Sequence, residues 1–280
     1  GSPHVNPSRS GEVQVTGGTR TLPWIRIGRP EPTRGHAGPA DSALGSLVVM
    51  TAPRVAVVGG GQLARMMAQA AVGLQVHLIA LVESATSSTA QVVPDSVIGA
   101  ASDPQALRAL AERADVLTFE HEHVPNDTLA QLQAEGHAVE PGPKALIAAQ
   151  DKIVMRQRLG ELAVPCPRWS EATSGADLLD FGDAVGWPII AKTPRGGYDG
   201  KGVRVVDRAT AATWDEASDW AWPILLEEKV PFTRELAVLV ARRPSGEIRT
   251  WPVVQTIQRD GVCAEVLSPA PDLSPTAART

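Results

Sequence analysis

The run Pro188-Ile189-Ile190-Ala191-Lys192 is apolar until its last residue, and it enters a ten-residue stretch, Thr193 to Gly202, that holds four glycines together with Arg195 and Lys201. A lysine carried on an apolar strand is costly to bury without a partner. At the mouth of a flexible glycine loop it can instead meet a polyphosphate, with backbone N–H groups and the loop's cations closing over the ligand. An ordinary glycine-rich hairpin with solvated charges is the bland alternative. The spacing excludes a Walker A loop, because Arg195 stands at the first glycine position and Gly202 at the hydroxyl position.

A second glycine loop, Gly59-Gly60-Gly61-Gln62-Leu63-Ala64, lies between a strand-like and a helix-like run, with Glu83 at the end of the next strand. This is the pattern that places a phosphate at a helix N-terminus and a carboxylate on a ribose. Three readings stay open at this point: a turn that needs glycine for sterics alone, a phosphate or ribonucleotide ligand, and NAD or FAD. A third feature is Leu225-Leu226-Glu227-Glu228-Lys229-Val230, with Glu235 beyond it. An apolar strand running into a linker can offer backbone groups to an adenine edge and a later carboxylate to a ribose, or it can be an edge strand with charges in water. The run Glu120-His121-Glu122-His123 suggests a metal site by composition, but a strand end sends neighbours to opposite faces and argues against one. The two histidines are expected at a surface or between domains.

The elements that must hold these groups alternate strand and helix from Met50 onward. Arg54–Val58, Val76–Val82 and Val116–Phe119 read as strands, and Gln62–Val72, Pro104–Arg113 and Pro125–Ala134 as helices, which makes a parallel sheet with helices on its faces. Met66 and Met67 are expected to pack the first helix. After Pro141-Gly142-Pro143 a single long helix is predicted over Lys144–Leu162. Strands Pro188–Thr193, Val203–Val206, Ile224–Glu228 and Glu235–Ala241 then give an α+β organisation, with Trp214, Trp220 and Trp222 covering its apolar surface. Residues 1–50 hold 8 Gly and 6 Pro, lack a period of 2 or 3.6, and read as a disordered leader; Met50 is the expected natural start.

Composition narrows the function. Lys+Arg 26 against Asp+Glu 31 gives a net charge of −5, which speaks against nucleic acid as the partner. No apolar run reaches the ~18–20 residues of a membrane span. The two cysteines, Cys166 and Cys263, form no CxxC pair and fit a reduced, cytoplasmic setting.

Taken in order, GGGQLARM, TFEHEHVP, the helix with Arg156, AKTPRGGYDGKG, LLEEKVPFTRELAV and QTIQRDGV resemble the N5-carboxyaminoimidazole ribonucleotide synthetases, ATP-grasp enzymes of purine biosynthesis, from about Met50 to Pro271. The resemblance implies an α/β fold: residues 50–142 as a Rossmann-like pre-ATP-grasp substrate domain and residues 143–280 as an α+β ATP-grasp domain, incomplete at its C-terminus, behind the 1–49 leader. It implies ATP- and Mg²⁺-dependent carboxylation of aminoimidazole ribonucleotide with bicarbonate, through carboxyphosphate, by a cytoplasmic homodimer. Lys192 then matches the catalytic lysine on the ATP phosphates, and Gly197, Tyr198, Asp199, Gly200, Lys201, Gly202 and Val203 match the covering loop. Glu227, Glu228, Lys229 and Val230 match the hinge that reads adenine, and Glu235 the ribose acceptor. Arg156 stands where the family commonly has a second lysine, which implies a phosphate contact with altered geometry, and Gln258 where it often has a histidine near the nucleotide. Gln62, Glu122, Tyr198 and Asp199 become candidates for the ribonucleotide substrate.

The family's Mg²⁺ carboxylates and its bicarbonate segment have no match here, so no metal ligand is assigned; they are expected beyond residue 280, and this chain is expected to be an inactive N-terminal portion of the enzyme. An NAD(P)-dependent oxidoreductase using Gly59–Ala64 and Glu83, and a non-catalytic nucleotide-binding protein, are the competing readings.

Overall fold

The β-branched run β1, Arg54–Val58, alternates faces with the two-residue period of a strand. Ala56 and Val58 enter one apolar core and Val57 another. The next strand, β2 (His77–Val82), repeats this alternation, with Ile79 and Leu81 on the first side and Ala80 and Val82 on the second. Between them runs α1 (Gln62–Leu74). Strand β3 (Ser96–Ile98), helix α2 (Pro104–Ala111), strand β4 (Val116–Phe119) and helix α3 (Asn126–Ala134) complete a parallel sheet of order β3-β2-β1-β4. Leu107 and Leu110 of α2 and Leu129 and Leu132 of α3 cover one face, while Ala64 and Met67 of α1 cover the other. Covering on both faces is what a parallel sheet requires. Of the two methionines expected to pack α1, Met67 does so and Met66 points outward.

The computed structural model describes residues 52–197, 200–274 and 276–277; the leader lies outside the described residues, as do Tyr198 and Asp199. Met50–Thr280 form one compact unit.

The single helix predicted over Lys144–Leu162 is two: α4 (Pro143–Gln150) and α5 (Lys152–Glu161). Asp151 makes the break. Its backbone is extended, and its side chain accepts from the amides of Ile153 and Val154 at 3.0 and 3.2 Å, so it caps the second helix. Strand β5 (Trp169–Ala172) leads to α6 (Gly175–Val185), which opens with a reciprocal capping box between Ser174 and Asp177. Strands β6 (Ile189–Lys192) and β7 (Val203–Val206), short helices α7 (Arg208–Ala212) and α8 (Trp214–Ala217), and β8 (Ile224–Glu228) follow. They build an antiparallel sheet of order β5-β8-β6-β7. Its core holds Ala172, Leu178, Ile189, Ala191, Ile224 and Leu226, with Trp214 buried and Trp220 and Trp222 packed against it, as the sequence suggests.

Beyond β8 the strand expected over Glu235–Ala241 divides into β9 (Glu235–Ala237) and β10 (Val240–Arg242). With β11 (Ile248–Thr250), β12 (Val254–Arg259) and β13 (Val262–Leu267), they form two further antiparallel sheets, β10-β11 and β13-β12-β9. The fold is thus a parallel α/β layer followed by an antiparallel α+β region.

Candidate functional site

Strand register puts the central groups together. Lys192 stands opposite Leu225, and Ile190 opposite Glu227 across the β6–β8 pair, so Lys192 and Glu227 are diagonal neighbours on one face. That face is opposite the core built by Ile189, Ala191 and Leu226. Helix α5 brings Arg156 to the same place. The Glu227 carboxylate receives Nε and a terminal nitrogen of Arg156, both at 2.5 Å, on Oε1, and the Lys192 ammonium on Oε2. Glu227 is buried, and two cations are what make its ionised form tolerable there.

One turn before Arg156, Lys152 faces the glycine loop. Its Nζ donates to the Gly196 carbonyl and its backbone N–H to the Pro194 carbonyl, each at 2.9 Å. Arg195 reaches back to Asp151 at 3.0 Å, so the helix cap also anchors the loop. Burial, and then the positive charge of Lys192, push the Lys152 ammonium below the usual lysine range; Asp151 and Glu122 act in the opposite sense. Lys152 was not among the residues singled out from the sequence. Its place directly after an N-cap aspartate, four residues before Arg156, is the pattern that could have found it.

The loop closes where the Thr193 N–H meets the Gly202 carbonyl at 3.0 Å. Gly197 has φ +76, and a Cβ there would lie 2.4 Å from the Lys201 carbonyl oxygen, so this turn admits glycine alone. Gly200 approaches Gly261 in the β12–β13 turn, which brings the loop alongside the strand that carries Gln258. Gln258 is exposed and pairs with Cys263 beside a bulge; Glu235, half-buried, pairs with Thr256 two residues earlier. Lys201 and Val203 are exposed at the loop's exit.

The four residues expected to read adenine divide into two pairs. Glu227 lies between Trp169 of β5 and Ile190 of β6, so its main chain serves the sheet. The Glu228 carboxylate accepts from the Arg168 amide at 2.9 Å and from Arg168 Nε at 2.6 Å, and these bonds hold it below the usual carboxylate range. Lys229 and Val230 lie past the strand end and are exposed.

A cavity of about 540 Å³ opens between this loop and the TFEHEHVP segment, lined by Glu122, Asn126, Asp127, Gln150, Arg195 and Gly196 among others. Gln150 shapes its wall by donating to the Glu122 and Val124 carbonyls at 2.7 and 2.8 Å while accepting from Asn126 at 2.6 Å. Gln62, exposed at the start of α1, is not among the lining residues. His123 borders the cavity, and its ring tilts against His121 at 5.4 Å.

The first glycine loop is occupied by the protein itself. Glu120 accepts from the amides of Gly61 and Ala64, both at 2.6 Å, so its carboxylate sits at the α1 N-terminus where a dinucleotide pyrophosphate would bind. A Cβ on Gly59 would fall 2.4 Å from the Glu120 side chain, and one on Gly60 2.5 Å from Glu83. Gly59, at φ +133, needs glycine for its backbone conformation alone.

With this geometry in view, the comparisons with known proteins agree with one another. Residues 52–150 match the ribonucleotide synthetase preATP-grasp domain and residues 157–279 the ATP-grasp domain. The N5-carboxyaminoimidazole ribonucleotide synthase of Mycobacterium tuberculosis is 49% identical over 237 residues, covering 84% of this chain and 55% of the relative. The chain belongs to the N5-carboxyaminoimidazole ribonucleotide synthetase family. The synthase of Corynebacterium ammoniagenes is 45% identical, with 80% of this chain and 54% of that protein covered. Among solved structures, the Thermus thermophilus synthetase superposes with a TM-score of 0.73 at 30% identity over 80% of this chain and 60% of its own. The Aspergillus clavatus synthase, solved with ADP and 5-aminoimidazole ribonucleotide, gives 0.72 at 27% identity over 82% and 60%. This chain spans about half the length of the curated relatives it matches. Membership in this ATP-grasp ligase family supports the nucleotide reading of the Lys192 loop over the oxidoreductase reading of the Gly59 loop.

Proposed function

We propose that this chain supplies the ATP-binding and ribonucleotide-binding parts of an ATP-dependent carboxylation, in which bicarbonate and 5-aminoimidazole ribonucleotide yield N5-carboxyaminoimidazole ribonucleotide, ADP and phosphate in purine biosynthesis. The observation that carries the proposal is the convergence of Lys192, Lys152 and the glycine loop, tied together through Asp151, Pro194 and Gly196. Bicarbonate is a poor electrophile, so its activation by phosphoryl transfer needs cations on the transferring group and exclusion of water. Lys192 and Lys152 supply the charge, and residues 197–203 the cover. Lys229 and Val230 offer main-chain groups to adenine, Glu235 a ribose acceptor, and Gln258 an amide at the nucleotide's edge. The 540 Å³ cavity suits the ribonucleotide, with Arg195 for its phosphate and Glu122 for its amine or ribose hydroxyls; Gln62, Tyr198 and Asp199 complete the candidates for that side.

ATP chemistry of this kind uses Mg²⁺, held by one or two carboxylates together with the phosphates. Among the described residues no group of three or more His, Cys, Asp or Glu could hold a metal by itself, and the carboxylate nearest Lys192 is bound to two cations, so none of these residues is assigned as a ligand of the ion. No step is assigned to the ion. A cytoplasmic homodimer is part of the same reading; no helix among the described residues is long and apolar enough to cross a membrane.

Calorimetric titration of the chain with ATP and with NADPH tests the proposal. Saturable ATP binding that Lys192→Met abolishes is expected, and NADPH binding without ATP binding would overturn it.

A further inference from the structure

Arg156, Glu227 and Lys192 form a row of cation, carboxylate and cation set at different depths. The Glu227 side chain is 4% exposed, Arg156 14% and Lys192 25%, so Lys192 is the member nearest the open side. Arg156 holds Oε1 with two nitrogens, and Lys192 holds Oε2. A further Arg156 nitrogen meets the Cys166 sulfur at 3.6 Å, on the Val164–Pro167 segment, whereas the glycine loop is gripped by Lys152.

We infer that Arg156 is a positioning residue, the standing counter-ion of Glu227, which frees Lys192 to leave that carboxylate for a polyphosphate. The inference rests on the nucleotide reading above and goes beyond it, because the family resemblance implies a direct phosphate contact for a cation at position 156. If Lys192 were the sole partner of Glu227, its departure would leave a buried carboxylate unpaired, a state that proteins strongly disfavour. With Arg156 in place the carboxylate keeps a charge-matched partner throughout. An arginine suits this task better than a lysine, since its rigid fork presents several N–H donors to one carboxylate and stays charged. Lys192, a flexible point charge with three donors, suits the moving part.

The test is ATP binding by calorimetry with the whole chain as wild type, Arg156→Gln, Arg156→Lys, Glu227→Gln and the Arg156→Gln/Glu227→Gln double variant, each accompanied by a thermal melt. Arg156→Gln is expected to weaken ATP at least about tenfold, because Lys192 then stays on Glu227, and Arg156→Lys to weaken it less. The double variant is expected to return to within roughly threefold of wild type, since no carboxylate remains to retain Lys192. A double variant as weak as Arg156→Gln would show a direct phosphate contact and overturn the inference, as would an Arg156→Gln variant that binds normally. Affinity that simply follows melting temperature across the set would reduce the row to a structural role and also overturn it. Wild-type chain that binds no ATP would remove the nucleotide reading itself, and this inference with it.

Discussion

Lys152 shows how a single residue in this site links charge, pH and binding. Its ammonium is destabilised by burial and by Lys192, so it gives up its proton below the 10.5 of an ordinary lysine. In the unfolded chain it titrates at the ordinary value. Between the lowered pKa and 10.5 the unfolded state therefore binds more protons, and this group's contribution to stability rises as pH rises through that window. Affinity for a polyphosphate should move the other way, because the charged form is the one that binds. ATP affinity is expected to fall on the alkaline side at a pH below 10.5, and Lys152→Arg to flatten that fall because guanidinium keeps its charge. Titration of both proteins between neutral and alkaline pH decides the matter; an equally steep fall in Lys152→Arg would assign the loss to another group. Lys192 was legible from the sequence because an apolar strand announced it. Its partnership with Glu227, 35 residues away, and that of Arg156 with Glu227, 71 residues away, were not, since register and helix packing create them.

At the scale of elements, the α1 N-terminus illustrates how one pattern serves two purposes. Gly59–Ala64 has the spacing of a dinucleotide loop, yet the anion at the helix start is Glu120, donated by the end of β4. Two short bonds from main-chain amides to an ionised side chain, placed at a helix dipole, are worth about 1–3 kcal/mol together. Glu120→Ala is expected to lower unfolding free energy by about that amount in urea denaturation, and Glu120→Gln, which retains one acceptor, by less. No loss in either variant would mean that solvent replaces the carboxylate freely. Strands with a buried face, such as β1, β2, β6 and β8, could be read because burial imposes an apolar pattern. Strands β10, β11 and β13 are exposed throughout, so packing did not write a period into them. The break between α4 and α5 escaped detection for the opposite reason: apolar spacing continues through Asp151, and only the capping preference of aspartate marks the interruption.

Across the molecule, the apolar side chains sort into cores that share no residue. Two lie on the faces of the parallel sheet, formed by residues between Ala56 and Leu146, and one lies under the antiparallel sheet, between Ala172 and Leu226. Lys192 and Glu227 stand on strands of the antiparallel sheet, while Glu122 and the far wall of the 540 Å³ cavity belong to the first region. A ligand that binds only the folded form stabilises it by mass action, about 2.7 kcal/mol at a hundred times its Kd. If the cores melt as separate units, ATP should protect the antiparallel one first. The tryptophans make this measurable. Trp169, Trp187, Trp214, Trp220, Trp222 and Trp251 all follow residue 157, and none lies between residues 50 and 150, so tryptophan emission above Trp24's contribution reports on the ATP-grasp region alone. Hydrogen exchange in β1 and β2 reports on the parallel sheet. Saturating ATP is expected to raise the fluorescence midpoint and to leave exchange in β1 and β2 nearly unchanged, whereas ATP with aminoimidazole ribonucleotide should protect both, because the cavity between Glu122 and Arg195 draws on each region. Equal protection of both regions by ATP alone would show that Lys152, Asp151 and the Gln150 bonds already couple them into one cooperative unit.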